Sequence, residues 1–124
     1  MHLDTHVVAW LFAGHLSHLP QAVRHRLDSE PLAISPIVEL ELAYLHEIGR
    51  TTQPPEVVVP ELRDSVGLTV SDAPFRSVAA AAVSLLWTRD PFDRLIVAQA
   101  IVEGETLLTK DERIRKNVEL AAWD

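Results

Sequence analysis

Apolar and polar residues alternate along this chain in short blocks of two periods, and the blocks predict strands and helices in turn. "MHLD" reads as a short first strand. "THVVAWLFAG" reads as a helix closed by Gly14, the residue type that best tolerates the left-handed turn after a helix. "LPQAVRHRLDSE" carries Pro20 near its first turn and apolar Val23 and Leu27, so it is a second helix. "PLAIS", bounded by Pro31 and Pro36, is a strand. "PIVELELAYLHEIGR" is a helix with Gly49 as its stop, and "TTQPP" is a loop. "PEVVVPELRDSV" starts a helix, with a kink expected near Pro60. "GLTVS" is a strand, "APFRSVAAAAVSLLW" an alanine-rich helix, and "DPFDRLIVAQAIVEG" another helix. "ETLLT" is a strand, "DERIRKN" a helical turn, and "VELAAW" a last short strand.

Strands that alternate with helices predict an α/β protein, a three-layer α/β/α sandwich around a mostly parallel sheet covered on both faces. The 124 residues suit a single domain, 1–124, with one core. No internal repeat or low-complexity tract interrupts them. In open parallel sheets, binding sites lie outside the carboxyl ends of the strands. The residues of interest are therefore those that follow strands.

Asp4 follows the first strand directly, and Asp111 follows "ETLLT" by one residue, Lys110. Each alone also suits a helix N-cap or a turn. Glu41 is less easily explained. At about 100° per residue, Ile37, Leu45 and Ile48 share one side of their helix, with Leu40 and Tyr44 close by. Glu39 and His46 fall opposite, and Glu41 lands inside the apolar arc. A carboxylate there must be paired, neutralised or coordinating.

The stretch "TRDPFDRLIVAQA" poses the same choice twice. Asp90 suits an N-cap, Pro91 the first helical position, and Asp93 the third, where acids favour the helix dipole. The helix behind them is apolar nearly all round, so it is expected to be buried and its first turn to sit deep. Two carboxylates are more than one cap needs. Asp4, Glu41, Asp93 and Asp111, with Asp90 beside them, form a candidate acid cluster. Clustered carboxylates need a cation, and all-oxygen ligation suits Mg²⁺ or Mn²⁺. Such an ion activates water and steadies charge on a phosphoryl oxygen.

Composition narrows the chemistry further. There are no cysteines, hence no disulfide and no thiolate metal site, and an intracellular, cytoplasmic location fits. No apolar run reaches the roughly 20 residues a membrane span needs. The six histidines lack zinc-ligand spacing and are expected mainly on the surface, and the four glycines form no phosphate loop. Net charge is -7, which excludes a simple nucleic-acid coat. Yet six of the eleven basic residues fall in the last third: Arg89, Arg94, Lys110, Arg113, Arg115 and Lys116. Arg89, Arg94, Lys110 and Arg113 are candidate phosphate contacts, or balance for local acids.

The blocks "LDTHVVAWLFAG", "ISPIVELELAYLHEIGR" and "DPFDRLIVAQAIVEGETLLTKD" resemble, in order and spacing, the successive blocks of PIN domains, in particular the VapC-type toxins of toxin–antitoxin pairs. The resemblance covers nearly the whole chain. It implies a PIN-like fold and a Mg²⁺- or Mn²⁺-dependent ribonuclease. It assigns the metal site to Asp4, Glu41, Asp93 and Asp111, with Asp90, Thr109 and Thr5 in support. Spacing from Ser35 and helical phase favour Glu41 over Glu39. "DERIRKN" lacks the aromatic residue often found in that segment. The resemblance also implies RNA as substrate, a cognate antitoxin as partner and a homodimer. Val8, Trp10, Leu11 and Phe12 are core residues or surface for such partners.

Two rivals stand beside this reading. A catalytically silent PIN-like binding module would keep the fold without the chemistry. A phospho-acceptor signalling domain would use strand-end aspartates with a threonine and a lysine. However, adjacent Thr109 and Lys110 point to opposite faces of a strand, and Glu41 would have no role.

Overall fold

The computed structural model describes residues 1–124. In chain order the elements are β1 (His2–Leu3), α1 (Thr5–Ala13), a 3₁₀ turn (Leu16–His18), α2 (Gln21–Ser29), β2 (Ala33–Ile34), α3 (Pro36–Glu47), α4 (Pro55–Val66), β3 (Thr69–Val70), α5 (Phe75–Val83), α6 (Pro91–Glu103), β4 (Leu107–Leu108), α7 (Glu112–Asn117) and β5 (Ala121–Ala122). The five strands form one sheet in the order β3-β2-β1-β4-β5, and every pairing is parallel. Successive strand residues face opposite sides of a sheet. Leu3, Leu107 and Leu108 are fully buried and His2 nearly so, which means that helices cover both faces of the central strands. That is the three-layer arrangement the strand–helix alternation predicts.

The strand order positions the site. From β1 the chain steps one way to β2 and β3, then crosses back to β4 on the other side of β1. The reversal between β1 and β4 opens a crevice at their carboxyl ends. This order also removes the signalling-domain rival, whose doubly wound sheet runs 2-1-3-4-5.

One cluster of 22 buried apolar residues draws on nearly every element, with Val78, Ala82 and Ala98 forming a small satellite between α5 and α6. α5 packs along α6, while α3 packs against α1, α4 and α6. Gly14 caps α1 with φ of 69°, a conformation that a β-carbon would strain. Pro60 lies inside α4 and does not end it.

Three expectations change. The alanine-rich helix stops at Val83, not at Trp87; the Ser84 hydroxyl turns back to the Ala81 carbonyl, and the chain then leaves the axis so that Leu85 and Trp87 can pack on the main core. The buried stripe of α3 is Val38 and Leu42, whereas Leu40, Tyr44 and Ile48 are about half exposed. Glu41 therefore sits on the flank of the buried stripe and not at its centre. α6 is fully buried only over Ile96–Ala100; its first turn is half-buried and its last turn exposed, because it enters and leaves the fold at the two edges of the sheet.

Candidate active site

Three of the five acids are helix caps. Asp4 follows β1 and accepts from the Thr5 backbone N–H at 2.8 Å. Asp90 accepts from the N–H groups of Phe92 and Asp93 at 2.8 and 3.3 Å, with Pro91 in the first turn where a missing N–H costs nothing. Asp111 accepts from Ile114 N–H at 3.0 Å. The capping explanation is right for these three, but it uses only part of each carboxylate. The second oxygen of Asp4 accepts from the buried Thr109 hydroxyl at 2.6 Å, and the same Thr109 oxygen receives the Asp111 N–H at 3.1 Å. Thr109 thus ties the end of β1 to the turn after β4.

Asp93 caps nothing. Its backbone N–H serves Asp90, and its own carboxylate accepts no hydrogen bond. Burial, then the negative charges of Asp90, Asp4, Asp111 and Glu41, push its pKa up to about 7. Burial also raises Glu41, with Asp4 and Asp90 adding to the effect and the nearby Thr5 hydroxyl opposing it. That hydroxyl is buried and has no partner of hydrogen-bonding geometry. Burial raises Asp4 too, against the pull of Thr109 and the Thr5 N–H. None of the five acids forms a salt bridge.

All five line one cleft of about 530 Å³ over the β1/β4 crevice. Uncompensated carboxylates around a shared space are a donor set for a hard divalent cation. As placed, no three of them close to ligand spacing. The cleft is an open acidic mouth, which suits a cation that keeps several of its waters, as Mg²⁺ does.

The PIN domain model matches residues 1–120. This chain belongs to the PIN domain family. The PIN domain is 38% identical over 120 residues to Ribonuclease VapC22 of Mycobacterium tuberculosis, an alignment covering 93% of this chain and 89% of that protein. Its fold matches a solved structure, VapBC2 from Rickettsia felis bound to a DNA fragment from their promoter, with a TM-score of 0.68 and 21% identity over 99% of this chain and 98% of that one. Family membership implies a divalent metal in general terms.

The candidate phosphate contacts separate. In this PIN domain Arg94 Nε donates to the Thr88 carbonyl at 2.7 Å and Arg113 to the Trp87 carbonyl at 2.6 Å. Both therefore clamp the loop that carries Asp90. Lys110 lines the acidic cleft, its ammonium 5.7 Å from the Trp10 ring centre. Arg89 is exposed. Val8 is core, while Trp10, Leu11 and Phe12 are partly buried against it. His2 is buried, unlike His6, His15, His18 and His25. Sequence reasoning missed His6, Trp10 and Glu112 as cleft residues. The signal was present for two of them: His6 stands two residues after Asp4, and Trp10 follows it by one helical turn on the same face.

Proposed function

We propose that this PIN domain is a divalent-metal-dependent ribonuclease, the toxin of a toxin–antitoxin pair, which hydrolyses RNA phosphodiester bonds. The observation that carries this reading is the set of five carboxylates around one cleft, none of them in a salt bridge, with Asp93 raised to about 7 by burial and then by its neighbours' charges. A group that costs stability in this way is explained when a cation is its partner. The named ribonuclease among its relatives, 38% identical across most of both chains, supports the same activity.

Asp4, Glu41, Asp93 and Asp111 would hold Mg²⁺ or Mn²⁺, directly or through water. When bound, that cation supplies Lewis acidity toward a phosphoryl oxygen and lowers the pKa of water. Asp4 is fixed in place by Thr109 and the Thr5 N–H, so its free lone pairs keep one direction. Thr5 offers its unpartnered hydroxyl beside Glu41. Asp93, tied by no hydrogen bond, is the carboxylate free to take a proton from the attacking water. Asp90 holds the first turn of α6, and with it Asp93, in position. Lys110 meets the phosphate at the cleft wall. A cognate antitoxin, a homodimer and a cytoplasmic location belong to this proposal; no helix is long and apolar enough to cross a membrane.

The test is cleavage of a complex RNA pool with Mg²⁺ or Mn²⁺, read by sequencing the new ends. Wild type should cut, and Asp4→Asn should lose on the order of 10²–10³-fold in rate, the loss typical of one preorganised electrostatic group. Undiminished cutting by Asp4→Asn would remove that residue from the site. A wild type that binds Mn²⁺ and RNA yet cuts nothing would favour the silent binding module.

A further inference from the structure

A second cleft, of about 510 Å³, opens beside the acidic one, between α1, α3 and the loop joining α3 to α4. The two clefts share His6 and Trp10, so they are continuous along one face of α1. Their chemistry differs sharply. The acidic cleft gathers Asp4, Glu41, Asp90, Asp93, Asp111 and Glu112. The second has no carboxylate among its 13 lining residues, in a chain of net charge -7. Its floor is aliphatic, Trp10 and Phe12 stand on it as aromatic side chains with His6 and His15 beside them, and its polar rim is Arg50, Thr52 and Gln53.

The rim is held in shape by its own backbone. Arg50 N–H donates to the Leu45 carbonyl at 2.8 Å, the His46 ring lies 3.3 Å from the Thr51 carbonyl, and Thr51 Oγ1 donates to the Gln53 carbonyl at 3.4 Å. These bonds leave the side chains of Arg50, Thr52 and Gln53 uncommitted and exposed. One cation, one hydroxyl and one amide border an apolar slot that holds two aromatic side chains. That set matches a nucleotide: a phosphate for the guanidinium, a ring for the aromatic side chains, and base-edge donors and acceptors for the amide. The volume lies in the usual range for a small-molecule site.

We propose that this cleft is a nucleotide subsite that seats the residue of the RNA neighbouring the scissile phosphate. Arg50 takes a backbone phosphate, and Gln53 reads a base edge held against the aromatic side chains. The proposal rests on the ribonuclease reading and deepens it: the acidic cleft cuts, and its acid-free neighbour selects where. Charge favours this occupant. A polyanion that crosses an acidic mouth needs a nearby stretch free of repulsion, and the second cleft is that stretch.

The experiment measures binding of fluorescein-labelled oligoribonucleotides to Asp93→Asn, chosen to stop cleavage, alone and combined with Arg50→Ala, Arg50→Lys or Gln53→Ala. Cleavage ends are then mapped for the same changes in an otherwise wild-type chain. Melting curves check that each variant folds. The expectation for Arg50→Ala is roughly tenfold weaker binding, with the salt dependence reduced by about one phosphate contact and partial recovery in Arg50→Lys. Gln53→Ala should shift base preference at the position beside the cut and raise KM more than it lowers kcat. Unchanged affinity, salt slope and cleavage pattern in folded variants would overturn the subsite. So would variants that only lose inhibition by an antitoxin, since the cleft would then be a protein groove. A wild-type chain that binds no RNA would instead remove the ribonuclease reading itself, and the subsite with it.

Discussion

The two ends of β1 treat acidic side chains in opposite ways. At the amino end, Glu103 meets buried His2, and its other oxygen accepts from the Ser71 hydroxyl. Ser71 in turn receives Gln99 Nε2 at 2.8 Å, and Gln99 Oε1 receives the Ser35 hydroxyl at 3.2 Å. Every polar group in this chain of bonds, which runs from the start of β1 to the ends of β3 and β2, has a partner. At the carboxyl end, six carboxylates line one cleft and none of them forms a salt bridge, and the carboxylate of Asp93 accepts no hydrogen bond. Both sites place acids beside the same buried strand. The difference teaches that burial of an acid is not by itself a functional sign. An acid whose local partners are missing is one, because nothing in the fold offsets its cost.

The widest separation of the two ends should come from Mn²⁺. At a concentration about a hundredfold above its dissociation constant, the cation should stabilise wild type by about 2.7 kcal/mol, and Asp93→Asn should lose most of that response. Thermal melting with and without Mn²⁺ reads both. Equal melting in all four conditions would make the carboxyl-end acids ordinary caps.

Removing a partner and removing a repulsion should then have opposite signs. Without metal, Asp93→Asn should gain about 1–2 kcal/mol, a figure kept small because the group is half exposed and screened. Glu103→Ala should lose about 1–2 kcal/mol, since it leaves the His2 ring and the Ser71 hydroxyl proton without their acceptor, and Mn²⁺ should not alter that loss. Urea denaturation of each variant gives the signs directly. A destabilised Asp93→Asn would contradict the comparison.

A smaller effect lies in pH. Asp93 is raised from 3.8 to about 7, so the folded protein holds a proton that the unfolded chain has released. Stability from this group is present at acidic pH and is lost as pH rises through about 7. Burial lowers His2 below its ordinary 6.5 despite Glu103, so its contribution is present above 6.5 and is lost as pH falls. Between pH 8 and pH 6.5, metal-free wild type should therefore become more stable, and Asp93→Asn should show a flatter curve. A steeper curve in the variant would place the titration elsewhere.

Much of the candidate site was legible because its signals are local. Asp4 and Asp111 follow strands, and Asp90-Pro91 opens a helix; each depends on a few neighbouring residues. Glu41 was chosen on helical phase, and it does line the cleft, though the apolar arc used to locate it was only partly right. Helical phase tells which residues share a side, not which side faces the core. α3 packs against α1, α4 and α6 at once, and its Tyr44 turns outward to stack on Phe92, ring centres 6.2 Å apart. Two of the arginines carry a role that no local pattern shows. A guanidinium in a basic stretch looks free until the fold brings a carbonyl to it, as Trp87 is brought to Arg113 across 26 residues.

By itself the sequence determined the order of strands and helices, their caps and the parallel sheet, because hydrophobic period and turn chemistry act over a few residues. It also named the acids that end up together. Only the tertiary structure decided which of those acids were satisfied and which were not. Asp4 finds Thr109 105 residues away, while Asp93 finds only like charges. That distinction depends on the return of the chain to β4 beside β1, a long-range pairing that no local pattern encodes.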